Sequence, residues 1–157
     1  MVATRLAADL DKPFILVKRM NYLGIDWGEK RIGLAFADEL GVPVPLPAAV
    51  ATQFRDRLAL IGAIITERKI DSIVVGYPYN MDGSIGFKAR EVDTFIATLQ
   101  KEFGLPVIRA DERLTSHLVK SDHKKRKQTL NRRTGDIDSL SAVVILRDYL
   151  SETLHSE

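Results

Sequence analysis

The run Tyr22-Leu23-Gly24-Ile25-Asp26-Trp27-Gly28-Glu29-Lys30-Arg31-Ile32-Gly33-Leu34-Ala35-Phe36-Ala37 decides how this chain folds. It reads as apolar strand, acid, tight turn, apolar strand. Leu23 and Ile25 carry the first strand, and Ile32, Leu34 and Phe36 alternate with smaller residues in the second. Gly28 stands where the chain must reverse, and a glycine there reaches positive φ without a Cβ clash. The odd member is Asp26. A carboxylate at the inner end of an apolar strand costs free energy unless a cation or a hydrogen-bond donor meets it. Asp26 is therefore a functional candidate; an Asx-type turn residue closing the hairpin is the plainer alternative.

Downstream of this hairpin, Val42-Pro43-Val44-Pro45-Leu46-Pro47 reads as a third strand. Its prolines remove ladder donors, which places it at a sheet edge. Phe54, Leu58, Ile61 and Ile65 recur at helical spacing and predict a helix over 54–68. Ser72-Ile73-Val74-Val75-Gly76-Tyr77 is a continuous apolar run, as suits a central strand buried on both faces, and Pro78 ends it. Asn80 to Gly86 is a loop by composition. Val92, Phe95, Ile96, Leu99 and Phe103 mark one face of a second helix over 87–103, stopped by Gly104 and Pro106. Val107-Ile108-Arg109-Ala110-Asp111-Glu112 is the next strand, with acids at its end. A final helix runs from Asp138 to about Leu150, with Leu140, Val143, Val144, Leu146 and Leu150 on a broad apolar face. The order β-β-β-α-β-α-β-α gives an α/β fold: a mixed five-stranded sheet flanked by helices.

A chain of 157 residues suits one domain with one core. Residues 1–19 read as a weakly ordered lead-in to a single domain over 20–152, and Met20, just before the first strand, is a candidate start. No apolar run approaches the roughly 20 residues of a membrane span. The chain has no cysteine, which excludes disulfides and thiolate zinc sites and fits a cytoplasmic location. His117, His123 and His155 are too scattered to form a cage, so any metal would be oxygen-ligated.

Acids recur at three comparable places: Asp26 after the first strand, Asp111 and Glu112 after the last, and Asp136 and Asp138 at the start of the final helix. Sites in open α/β sheets form outside the carboxyl ends of the parallel strands. Carboxylates converging there repel one another unless a cation joins them. Mg²⁺ or Mn²⁺ is the natural partner, and such a site activates water and stabilises a phosphodiester transition state. Singly, each acid also reads as a turn or helix cap. The residues alone do not choose between Asp111 and Glu112, or between Asp136 and Asp138. Only one of the first pair can point into a site, because neighbouring side chains in a strand face opposite ways.

The stretch Leu23 to Ala35 resembles the opening motif of the YqgF (RuvX-like) family. Val74-Val75-Gly76-Tyr77-Pro78 with Asn80-Met81-Asp82-Gly83-Ser84 is similar to that family's central strand and loop. Asp111-Glu112-Arg113-Leu114-Thr115-Ser116 resembles its third motif, and Asp138 to Leu146 its terminal helix. The four occur in family order over residues 20–150. The resemblance implies a ribonuclease H-like fold with strand order 3-2-1-4-5. It also implies a divalent-metal nuclease, either a Holliday-junction resolvase or a nuclease maturing the 5′ end of small-subunit ribosomal RNA. Carried over by position, the implied catalytic and metal-holding acids are Asp26, Glu112 and Asp138. Trp27 and Glu29 stand where the family commonly has small or polar residues, and the segment from His117 to Gly135 is short and polar for the family. In that strand order the strands ending in Asp26 and Glu112 lie two places apart, roughly 10 Å at about 4.8 Å per strand. Sheet twist and the longer glutamate must close part of that gap.

Net charge is only +2, but seven basic residues and one acid lie between Lys120 and Arg133. Lys30, Arg31, Arg113 and the cluster Lys124-Lys125-Arg126-Lys127 are the candidate phosphate contacts, with a solvated linker as the alternative for the cluster. Tyr77 and Tyr79 are candidates for base stacking, with packing as the alternative. The expected partner is nucleic acid, as precursor ribosomal RNA (free or in precursor particles) or as branched DNA, where a symmetric homodimer would be needed to cut two strands. Two other classes compete. One is a non-catalytic RNA-binding ribosome-assembly factor. The other is a sugar-kinase or actin-like ATPase, whose phosphate hairpin also reads strand, Asp-x-Gly, strand, although this chain supplies only half of such a two-domain enzyme.

Overall fold

The computed structural model describes residues 19–112 and 139–155. Five strands, β1 (Tyr22–Asp26), β2 (Arg31–Ala37), β3 (Val44–Val50), β4 (Ser72–Tyr77) and β5 (Val107–Asp111), form one sheet in the order β3-β2-β1-β4-β5. The first three pair antiparallel, whereas β4 is parallel to both β1 and β5. The helices are α1 (Phe54–Glu67), α2 (Phe87–Phe103) and α3 (Leu140–His155). The ribonuclease H-like order expected from the family resemblance is the one observed. The final helix runs five residues beyond the expected Leu150.

Two-residue alternation sorts the sheet into two apolar faces. Leu23, Ile25, Ile73, Val75 and Tyr77 pack with Ile61 of α1 and with Val92, Phe95, Ile96 and Leu99 of α2. Ala35, Ala37 and Val74 pack on the other side against Ala142, Ile145, Leu146 and Leu150 of α3. Every residue of β4 is buried, as its unbroken apolar run predicts. β3 is an edge strand, with Pro45 and Pro47 exposed. Gly104 ends α2 in the left-handed region at φ 63°, donating to the Gln100 carbonyl at 3.0 Å.

Gly24 explains how closely α3 sits. A Cβ there would lie 2.9 Å from Leu146 Cβ and 3.0 Å from the Ala142 carbonyl. Ser139 then pins the start of that helix. Its hydroxyl donates to the Leu46 carbonyl at 2.5 Å and accepts from the Leu34 amide at 3.1 Å. That amide lies where the β2–β3 register shifts between Ile32 and Leu34, so the serine supplies a partner where the ladder is interrupted.

The hairpin reverses at Gly28, but for a different reason from the one expected. Among the described residues the glycines at positive φ are Gly41, Gly83 and Gly104, and Gly28 is not one of them. Space is the constraint: a Cβ on Gly28 would collide with the Arg31 carbonyl. The turn is also held from below, where the buried Arg57 donates to the Glu29 carbonyl.

Candidate metal-dependent nuclease site

Asp26 is the last residue of β1 and follows the alternation of Gly24, so its side chain lies on the α3 side of the sheet. A hydrogen bond with Ser141, near the start of α3, holds it there. Glu112 directly follows β5, and its amide donates to the Tyr77 carbonyl at 3.2 Å, carrying the β4–β5 ladder one step further. It shares the parity of Ile108 and Ala110, which also face α3.

Between the two acids lies β4, and at the crossing point β4 has Gly76. A Cβ there would stand 2.8 Å from Glu112 Cδ and closer still to its Oε1. The glutamate side chain thus lies flat across the glycine toward Asp26. The lateral gap of two strands is closed by the length of a glutamate passing over a residue without a side chain. Asp26, Gly76 and Glu112 line one cleft of about 90 Å³ with Trp27, Pro78, Lys88 and Val92. Asp111, the alternative acid, instead lines a separate cavity of about 250 Å³ with Arg109, Ile145 and Asp148.

The cleft disfavours two bare negative charges. Desolvation pushes the Asp26 carboxyl up to about 6, opposed by the Lys88 ammonium and the Ser141 hydrogen bond. Desolvation also pushes Glu112 up to about 7, helped by the charge of Asp26 and then opposed by Lys88, with Asp111 adding a smaller push upward. Among the described residues no three potential ligands form a metal cage. The third expected acid, Asp138, lies outside them, as do Arg113 and Lys124, Lys125, Arg126 and Lys127.

Trp27 forms one wall, its ring 4.5 Å from Phe95 and 6.0 Å from Phe54. Lys30 and Arg31 are exposed in the hairpin that follows. Tyr77 is buried, donates to Asp93 at 2.8 Å, and packs 4.5 Å from Tyr79. Tyr77 belongs to the main core cluster, where packing is its role, and the half-buried Tyr79 packs against that cluster. Sequence reasoning missed Gly76, Ser141 and Lys88. An isolated glycine inside a strand signals close approach and was the one readable clue to Gly76. Lys88 carried no signal that Arg90, in the same first turn, does not share. Ser141 carried no signal.

The sheet order, with two desolvated acids at one rim, is that of the ribonuclease H-like class of folds. The fold matches that of Thermus thermophilus RuvC in complex with a Holliday junction substrate, at TM-score 0.50 and 16% identity, over 85% of this chain and 96% of that one. The chain belongs to the family described as "RuvX: Holliday junction resolvase", whose model matches residues 20–152. Among its relatives is a protein of Opitutus terrae named "Putative pre-16S rRNA nuclease", 42% identical over 85% of this chain and 92% of the relative. Proteins of the same name from Synechococcus elongatus and Syntrophus aciditrophicus are 40% and 36% identical, each over 83% of this chain and 88% of the relative. Among the described residues no helix is long and apolar enough to cross a membrane.

Proposed function

We propose that the protein is a divalent-metal-dependent nuclease of the cytoplasm that cuts structured RNA at the 5′ end of the pre-16S ribosomal RNA. The observation that carries this reading is the convergence of Asp26 and Glu112 in one cleft from strands two places apart. Two desolvated carboxylates with oxygen donors only are a fit for Mg²⁺ or Mn²⁺. Asp26 and Glu112 would hold the ion with Asp138, whose neighbour in the chain, Ser139, is anchored to β2 and β3. When bound, a divalent ion stabilises charge on the phosphate oxygens and makes the attacking water more acidic. The chain does the rest. Ser141 orients Asp26, Gly76 seats Glu112, and Trp27 with Val92 forms the apolar wall that limits water at the reacting centre. Lys30 and Arg31 on the hairpin, with Arg113 and the cluster from Lys124 to Lys127, would contact backbone phosphates. The names borne by the relatives favour ribosomal RNA, free or within precursor particles.

The family description favours a second reading, a resolvase of branched DNA working as a homodimer. Purified protein offered a pre-16S RNA fragment and a four-way DNA junction, with Mg²⁺, Mn²⁺ or chelator, separates the two. Cleavage of the RNA with metal, none with chelator, and none by Asp26→Asn despite retained RNA binding is the expected result. Full metal-dependent activity in Asp26→Asn would reject the site. Cleavage confined to the junction would establish the resolvase, and binding without turnover a non-catalytic assembly factor.

A further inference from the structure

Among the described residues, one cation lines the cleft that holds the two acids, Lys88, and neither the family resemblance nor the sequence motifs pointed to it. We propose that Lys88 is a substrate-phosphate contact, gripping a non-bridging oxygen of the strand being cut from the α2 side of the cleft. The inference rests on the nuclease reading and adds to it a residue that binds substrate.

Lys88 is exposed and lines the same cleft as Asp26 and Glu112. Its charge reaches both carboxyls and opposes the rise of each. It is the second residue of α2, at the positive end of the helix dipole, where a cation is disfavoured. No acid stands in that first turn to offset it, and the helix's other terminal lysine, Lys101, is in the favourable last turn. Arg90 shares that turn and Glu91 lies three residues on, so helix position alone does not single Lys88 out; what does is that Lys88, unlike Arg90, lines the cleft.

The backbone leading to it is well braced. Asn80 and Ser84 are joined by a backbone bond and a side-chain bond, both 2.9 Å, and Ser84 also bonds Asp82. A Cβ on Gly86 would lie 3.1 Å from Asn80 Oδ1, so the loop closes tightly against the start of α2. A closed loop of this kind fixes the Cα of Lys88 relative to the acids, while its flexible stem leaves the ammonium free to meet the ligand. Two carboxylates alone repel a phosphodiester, and an ammonium on the opposite wall counters that repulsion before any base is read. A lysine serves as a compact point charge for phosphate.

A purely balancing role, in which Lys88 only offsets the two acids, makes different predictions. It would affect stability and metal affinity but not the electrostatics of substrate capture. The full chain with Lys88→Gln and Lys88→Arg is assayed on the pre-16S RNA fragment in Mg²⁺. Salt-dependent binding is measured separately in the Asp26→Asn background. The expected result is a KM raised about tenfold in Lys88→Gln, a smaller change in kcat, and most of the loss recovered in Lys88→Arg. The slope of log affinity against log salt falls by about one ion. Wild-type cleavage with KM and slope unchanged within twofold in Lys88→Gln overturns the inference and leaves the nuclease reading standing. Failure of the wild-type chain to bind or cut RNA or junction overturns both.

Discussion

The carboxylate of Glu112 rests on the bare Cα of Gly76, with its Cδ 2.8 Å from where a Cβ would be. This contact lets an acid at the end of β5 join an acid at the end of β1 across the intervening strand. The same hypothetical Cβ would stand 2.5 Å from Ile145 Cδ1, so Gly76 sits under both the candidate acid and the packing of α3.

Gly76→Ala is accordingly expected to harm activity more than folding. The added methyl must displace both the Glu112 carboxylate and the Ile145 Cδ1 methyl. Overpacking of this size costs about 1–3 kcal/mol, and a shift of a catalytic group by about 1 Å costs roughly a hundredfold in rate. Cleavage kinetics beside a melting curve check this. Wild-type kcat in a folded Gly76→Ala protein would mean that Glu112 does not work from this position.

The raised carboxyls predict an inverted pH dependence for the metal-free protein. Asp26 and Glu112 bind protons more tightly in the folded chain, near 6 and 7, than at their unfolded values of 3.8 and 4.5. Between those limits the folded state carries more protons than the unfolded one, so stability falls as pH rises through the window. Above pH 7 the penalty is complete; below pH 4 it is absent. Removing both charges in Asp26→Asn/Glu112→Gln should raise stability by about 2 kcal/mol at pH 8 and leave it unchanged at pH 4. For a chain of this length that is a rise in Tm of roughly 5 °C. Mg²⁺ or Mn²⁺ should recover most of the difference in the wild type at pH 8 and do nothing for the double variant. Scanning calorimetry at the two pH values, with chelator and with metal, reads all of this.

Ser139→Ala should destabilise by about 2–3 kcal/mol, because it strands the Leu34 amide and the Leu46 carbonyl, both at a wholly buried side chain. Urea unfolding measures that loss. If the serine also positions the residues before α3, cleavage will fall beyond what the unfolded fraction explains. A variant as stable as the wild type would show that water replaces the hydroxyl.

The linear chain determined a good deal of this. The opening hairpin, the edge position of the proline-bearing third strand and the burial of β4 on both faces were all legible, because each follows from local periodicity and backbone chemistry. So were the faces of α1 and α2, although Arg57 joined the buried side of α1 to reach the Glu29 carbonyl. On α3, the buried Ala142 and Ile145 were not foreseen. They are buried because Gly24 admits the helix close to the sheet, a property of two segments far apart in sequence. The fold order and the choice of Glu112 over Asp111 came through family resemblance; the residues themselves left both open. That Asp26 and Glu112 belong to one site also came through the resemblance; tertiary structure alone decided that Gly76 is the gap between them and that Lys88 lines their cleft. Periodicity assigns a side chain to a face, but distance across a sheet depends on which strands are neighbours and on what the strand between them leaves empty.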